Sequence, residues 1–228
     1  MYYVKREDYV ISSTYPVLIV PTLGQPHLRE MVASIDIPVR LCIIANGGSD
    51  WAWLPENAWL VELPHNIGYA AAVNLGIKAY LHEPYWLVAN DDVVLAPGDL
   101  GRLIDHDEYG WTGINDWSVQ KLTEDAVERV GFMDESFHPA YCDDADYERR
   151  CDLAGVARGF ISGETTHARS ACLRVHRGDN ARSYPLNVQF HHEKWGVGVR
   201  APGGYDAPAT PPVPSLSHLR ARAWRDDR

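Results

Sequence analysis

Cysteine is scarce in this chain. The four present, at positions 42, 142, 151 and 172, include no pair at C-x-x-C spacing. That removes a zinc knuckle or a thioredoxin-like redox site and leaves two readings, free and partly buried thiols or a local Cys142–Cys151 pair. A reducing compartment favours the free thiols. Long apolar runs are missing too. Stretches such as Val17 to Val20 and Leu41 to Ala45 fall far short of the ~20 residues that a membrane span requires. The opening MYYVKREDYVISS has no apolar segment behind a basic one, so it does not read as a secretory signal; a soluble, cytoplasmic protein is the expectation. Basic residues are in deficit, 21 Lys and Arg against 31 Asp and Glu, a formal charge of −10. Proteins that grip phosphate backbones draw their non-specific affinity from Lys and Arg, so nucleic acid is not an expected partner. Phenylalanine is rare beside the other aromatics, four against eight Trp and twelve Tyr, and rings with a polar handle serve binding surfaces as well as cores.

At 228 residues and 46% hydrophobic composition, the chain buries enough surface to need neither disulfides nor a structural metal. From Pro16, short β-rich runs alternate with helical patterns: PVLIV, a helix over 25–35, VRLCIIA, AWLVEL, a helix over 67–81, then YWLVA. Such alternation predicts a mostly parallel sheet flanked by helices. The pattern then predicts a helix opening near Pro97, strands at 111–115 and 127–130, an acid-rich helix over 144–153 and a strand at 158–162. Residues 201–228 hold five of the fifteen prolines, and the last nine residues hold four arginines. This composition divides the chain into a domain over 1–200 and a Pro-rich linker with a basic tail over 201–228.

In open α/β sheets ligands bind beyond the carboxyl ends of the parallel strands. The strands here run into Pro21-Thr22-Leu23-Gly24, Asn46-Gly47-Gly48-Ser49-Asp50, His65-Asn66-Ile67-Gly68-Tyr69 and Asn90-Asp91-Asp92. Each of the first three is also an ordinary turn composition. In the fourth, two adjacent carboxylates stand among apolar neighbours, where a cation or solvent has to compensate their charge. Oxygen ligands of this kind suit Mg2+ or Mn2+ shared with phosphates; a solvated turn capping the next helix is the other reading. A second acidic cluster, Tyr141-Cys142-Asp143-Asp144-Ala145-Asp146, supplies acids to a helix N-terminus, and a carboxylate beside a pocket can serve as a general base. The two acidic segments account for the whole charge. Residues 90–108 hold six acids and one base, residues 134–152 seven acids and two bases, and the remainder balances.

Read in order, these blocks resemble the family 2 glycosyltransferases of GT-A fold, and in particular their rhamnosyltransferase-like branch. PVLIVPTLGQP is similar to that family's first strand and turn, HNIGYAAAVNLGIKA to its N-x-G-aromatic helix, and LVANDDVVL to an N-x-D variant of its DxD metal motif. GFMDESFHPAYCDDADYERRCDLAG resembles its acidic block, ISGETTHARSA the strand that follows and ends in histidine, and NVQFHHEKWG a K-W-G segment of some relatives. The resemblance implies a nucleotide-diphosphate sugar as donor, a glycan, protein or small-molecule hydroxyl as acceptor, and transfer with inversion. It implies that Thr22, Asn46, Asn66, Gly68, Asn74 and Asp91 line the donor site and that Asp92 binds Mn2+ or Mg2+. His167 is the implied further metal ligand, with His191 and His192 as competitors. Asp144, paired with Asp143, is the implied base. Where the family carries an acid before the Asn of its second-strand loop this chain has Ala45, with Asn46 or Asp50 as substitutes. A non-catalytic carbohydrate-binding module of the same fold is the alternative. A sugar-nucleotide nucleotidyltransferase fits less well, since PTLGQPHLR has a single Gly and no nearby Lys.

Overall fold

Seven strands form one twisted sheet in the order β3-β2-β1-β4-β7-β6-β8, and two short strands, β5 and β9, pair beside it. The structure is a computed structural model and describes residues 15–24, 26–47, 50–168 and 177–199, together with Leu216 and Leu219. The strands are β1 (Val17–Thr22), β2 (Arg40–Ala45), β3 (Trp59–Glu62), β4 (Tyr85–Ala89), β5 (Val93–Val94), β6 (Trp111–Ile114), β7 (Asp116–Thr123), β8 (Arg158–Ile161) and β9 (Thr166–His167). The helices are α1 (His27–Ala33), α2 (Tyr69–Ala79), α3 (Asp99–Asp105), α4 (Glu124–Val130), α5 (Asp143–Ala154) and α6 (Arg177–Trp195). β3, β2, β1 and β4 are mutually parallel, β7 is antiparallel to β4 and β6, and β8 is parallel to β6. This is the expected GT-A arrangement, a mostly parallel sheet with helices on its faces.

The period of two along each strand divides the core between the two faces. Val17 and Ile19 of β1 join Ile44, Val73, Ile77, Trp86, Trp111 and Tyr147 in one cluster, which also takes in Leu216. Leu18 and Val20 face the other way, into Leu28, Met31, Ile43, Leu87, Leu100 and Leu103. α2 and α5 supply side chains to the first cluster and α1 and α3 to the second. Cys42, Cys142 and Cys151 are free and buried, while Cys172 lies outside the described residues. So does most of the proposed tail over 201–228, of which Leu216 is fully buried in the core. No helix among the described residues is long and apolar enough to cross a membrane.

One predicted strand is corrected. Residues 127–130 lie in helix α4. The Thr123 hydroxyl accepts from the Ala126 N–H at 3.2 Å, and Glu124 and Asp125 occupy the first turn, the signature of an N-terminus that apolar content at 127–130 concealed. Helix α6 was not foreseen as an element either, because it is polar and contains Pro185.

α2 lies flat on β1 at Gly76. A Cβ there would sit 2.5 Å from Ile19 Cγ2, so the close approach requires glycine. Gly76→Ala is expected to destabilise the protein by about 1–3 kcal/mol through overpacking, despite a helix-propensity gain of about 1 kcal/mol. Ile19→Ala should cost less in that background than in the wild type. Urea denaturation of the two single variants and the double variant checks this; a stabilised Gly76→Ala would contradict the packing.

Candidate active site at the carboxyl edge of the sheet

Topology alone brings the motifs together. β1, β2, β3 and β4 run parallel, so Thr22, Asn46, the 63–68 loop and Asn90 all leave the sheet at one edge. The chain proceeds from β1 outward through β2 and β3, then crosses to β4 on the other side of β1, and such reversals open a crevice between the two strands. Thr22 and Asp91 meet across it, with the Thr22 hydroxyl donating to Asp91 Oδ2 at 2.6 Å. The Gly24 N–H in turn donates to Thr22 Oγ1 at 3.0 Å. Burial raises the pKa of Asp91 above the ordinary carboxylate range, and donation from Thr22 and from the Leu23 backbone offsets only part of that shift.

β7 runs back from this edge and β6 and β8 run toward it, which places Asp116, the first residue of β7, and the segment after β8 at the same rim. Asp99, fully enclosed, holds that segment. Its Oδ2 accepts from the Glu164 and Thr165 N–H groups at 3.0 and 2.8 Å and from the Thr165 hydroxyl at 2.6 Å, while Oδ1 pairs with Arg102. Two residues on, β9 pairs with β5, setting His167 opposite Val93. His167 Nε2 lies 3.0 Å from Asp92 Oδ1, and Nδ1 lies 3.4 Å from Asp116 Oδ2. The hydrogen bonds to Asp116 and then to Asp92 outweigh burial and raise the His167 pKa to about 9. Burial works to raise that of Asp116, but the His167 and Ser118 hydrogen bonds prevail and lower it to about 2. A cavity opens beside this pair, lined by His27 and Glu30 of α1, Asp92, Val93, Val94 and residues 166–168.

The donor set of Asp92 and His167 fits a divalent cation. One hard carboxylate oxygen and one imidazole nitrogen suit Mn2+. Their 3.0 Å separation lets one cation touch both atoms, provided it displaces the proton that Nε2 shares with Asp92 when no metal is bound. Among the described residues no three Asp, Glu, His or Cys side chains converge as a cage, so the other ligands of such a cation would be water or phosphate oxygens.

The acidic helix faces the same crevice. The Tyr69 N–H donates to Pro139 O at 2.7 Å, joining the 66–69 loop to the segment that enters α5. The Tyr69 phenol accepts from Gln120 and feels the charges of Asp143, Asp144 and Asp91; burial first, then Asp143, raises its pKa. Gly68 has φ +93°, and a Cβ on it would meet His138 Cδ2 at 2.9 Å, so only glycine allows these two loops to touch. Tyr141 and Cys142, with φ of 78° and 68°, both adopt the left-handed conformation that non-glycine residues rarely take, turning the chain sharply into α5. Asn187 of α6 pins this bend by donating to Ala140 O at 2.8 Å. Asp143 is buried. Desolvation, with the charge of Asp144 second, pushes its carboxyl up to about 8. Asp144 is only half-buried, and its charge is felt by the Tyr69 phenol.

The remaining predicted residues are placed as follows. Asn46 Oδ1 accepts from the Ile67 N–H at 3.3 Å, and Asn66 Oδ1 from the Gly68 N–H at 2.8 Å, so both shape the loops at the crevice. Asn74 is buried deeper, exchanging hydrogen bonds with Met133 and donating to Glu135; it ties α2 to the acidic block. Asp50 is exposed and accepts from Ala52 N. His191 is buried in α6 against Phe137 and Trp195, and His192 is exposed. Among the tryptophans, whose polar-handled rings suit a binding surface or a core, Trp111 and Trp195 lie in the core, whereas Trp117 is half-buried, stacked on Trp111 and bonded to Glu148. Sequence reasoning missed Asp116, Asn115 and the Asp99 clamp, all of which act across 48 or more residues of separation.

The fold is a mostly parallel α/β sheet flanked by helices, with acidic residues gathered at its carboxyl edge. The chain matches no protein-family model. It is similar to a Leishmania donovani protein named galactofuranosyl glycosyltransferase, at 22% identity over 78% of this chain and 66% of that one. Its fold is similar to the crystal structure of S. aureus TarS 1–349, with TM-score 0.51 and 12% identity over 66% of this chain and 58% of that one. The chain thus spans just under two thirds of the Leishmania protein and well under two thirds of the TarS fragment.

The raised pKa of Asp143 has a signed consequence. Its proton stabilises the folded state below the unfolded value of 3.8, and that stabilisation is lost as pH rises through about 8. Asp143→Asn, permanently neutral, is expected to gain stability on the wild type between pH 5 and pH 9 in denaturation experiments. Identical pH dependence of the two would contradict the assigned environment.

Proposed function

We propose that this chain is a glycosyltransferase that moves a sugar, with inversion, from a nucleoside-diphosphate donor to an acceptor hydroxyl. The observation that carries the reading is the convergence, at one sheet edge, of a β1/β4 crevice, the Asp92–His167 pair and the acids that open α5. The name of the Leishmania relative agrees with sugar transfer. The sequence resemblance leaves a hexosyl and a rhamnosyl reading open, and the relative's name, which specifies galactofuranosyl, favours the hexosyl one.

In this reading Thr22, Asn46, Asn66 and Asp91 line the donor crevice, and Asp92 with His167 holds Mn2+ or Mg2+. Once bound, the cation supplies Lewis-acid stabilisation of the charge on the departing diphosphate. Asp144 takes the proton of the acceptor hydroxyl as its oxygen attacks the anomeric carbon. The bond to the diphosphate oxygen breaks on the opposite side, and the electron pair leaves with the nucleotide. Asp143 and Asp144 divide the roles by environment. A buried carboxyl with a pKa near 8 is mostly protonated at neutral pH, so Asp143 is a poor base and adds little repulsion to a charged Asp144.

Asp144→Asn should lower turnover by about 10²–10⁴-fold while donor binding, measured by calorimetry, stays within twofold. Transfer at the wild-type rate would reject the base. Chelation with EDTA should abolish transfer and Mn2+ restore it; full activity in chelator would reject the metal site at Asp92.

A further inference from the structure

Two adjacent residues of the β6–β7 hairpin, Asn115 and Asp116, touch the segment leading into β9 and His167 itself. Ile114 pairs with Asp116, leaving Asn115 at the tip with φ 57°. Asn115 accepts from the Gly163 N–H at 2.9 Å and donates to the Gly163 carbonyl at 2.8 Å. The hairpin tip is thereby fastened to the backbone four residues before His167. Next to it, Asp116 is itself fixed, because its Oδ1 accepts from the Ser118 N–H at 2.7 Å. That leaves Oδ2 facing His167 Nδ1 at 3.4 Å, while Nε2 on the far side of the ring faces Asp92 Oδ1 at 3.0 Å. A carboxylate at one ring nitrogen sets the orientation of the imidazole and the nitrogen that keeps its proton.

We infer that Asp116 is a positioning residue: by accepting from Nδ1–H of His167 it holds the ring so that Nε2, beside Asp92, is the nitrogen offered to a divalent cation. The inference rests on the metal-binding reading of Asp92 and His167 proposed above. Neither spacing nor composition marks Asp116, which is separated from His167 by 51 residues and from Asp92 by a change of strand. A solvated acid on a hairpin is the ordinary expectation for such a residue. Against it stand the second anchored oxygen, the fastened tip and the alignment of both carboxylates on opposite nitrogens of one ring.

The test titrates the full chain with Mn2+ alone, reading free Mn2+ by electron paramagnetic resonance, for the wild type, Asp116→Ala, Asp116→Asn and Asp92→Asn. Metal-free melting temperatures are recorded in parallel. Positioning predicts that Asp116→Ala weakens Mn2+ binding by about 10–100-fold, the range typical of outer partners of metal-bound histidine. Its melting temperature should stay near that of the wild type, and Asp116→Asn, which keeps an acceptor for the ring, should recover much of the affinity. Wild-type affinity in Asp116→Ala, with binding lost in Asp92→Asn, overturns the role of Asp116 and leaves the metal site standing. Wild-type affinity in Asp92→Asn overturns the metal site and the inference with it. Should Asp116→Ala fail to fold, Asp116→Leu, of similar size and without an acceptor, takes its place: Mn2+ binding weakened about 10–100-fold supports the role, and wild-type affinity overturns it.

Discussion

Burying a carboxylate is unfavourable unless something compensates its charge, and this chain buries Asp91, Asp92, Asp99, Asp143 and Asp146. How each is compensated explains much of the architecture around the crevice. Asp146 meets Arg150, Lys194 and the Trp195 indole. Asp99 meets Arg102 and the donors of residues 164 and 165. Asp92 meets His167. Asp91 and Asp143 are met by hydroxyl or backbone donors, burial prevails in both, and both are harder to ionise than an ordinary carboxylate. The acids with strong partners lock elements together, and those two stand at the crevice, where the proposed chemistry needs adjustable charge.

The locking is what positions the site. Lys194 bridges Asp146 to Asp134 at 2.5 and 2.8 Å, so α6 clamps the acidic helix and the loop before it in a single network. In such a buried network each charge compensates another, and removing one partner leaves a charge stranded. The same helix fixes the strained Tyr141–Cys142 bend through Asn187, and strain of this sort persists only where surrounding contacts over-determine it. α6 therefore supports the proposed site by holding the bend that leads into α5.

Much of this was legible in the chain itself. β1, β2 and β4 are continuous apolar runs, as strands covered on both faces must be, and α2 shows itself by its Ala-rich, Leu-bearing pattern. The acids of both motifs could be read because they interrupt apolar surroundings. β7 escaped notice because it buries Gln120 and Lys121, which no hydrophobic pattern reveals. Gln120 accepts from Trp111 Nε1 at 2.7 Å, and Lys121 caps the carbonyls that end α3. α4 reads as a strand only through its β-branched Val127 and Val130, while its capping threonine lies at the end of β7. Asp116 was invisible for a deeper reason: its partner is set by the register of two hairpin strands and by β9, and tertiary placement of that kind leaves no local trace.

The central claim is that the Asp92–His167 pair marks the place where a cation and a diphosphate meet at the β1/β4 crevice. The most direct measurement is an anomalous difference map from crystals grown with Mn2+ and a nucleoside diphosphate. It is expected to show one strong peak between the Asp92 carboxylate and His167 Nε2, with the diphosphate completing its coordination and the nucleoside extending toward Thr22 and Asn46. A peak elsewhere, or a nucleotide bound away from this edge with no metal beside Asp92, would contradict the claim.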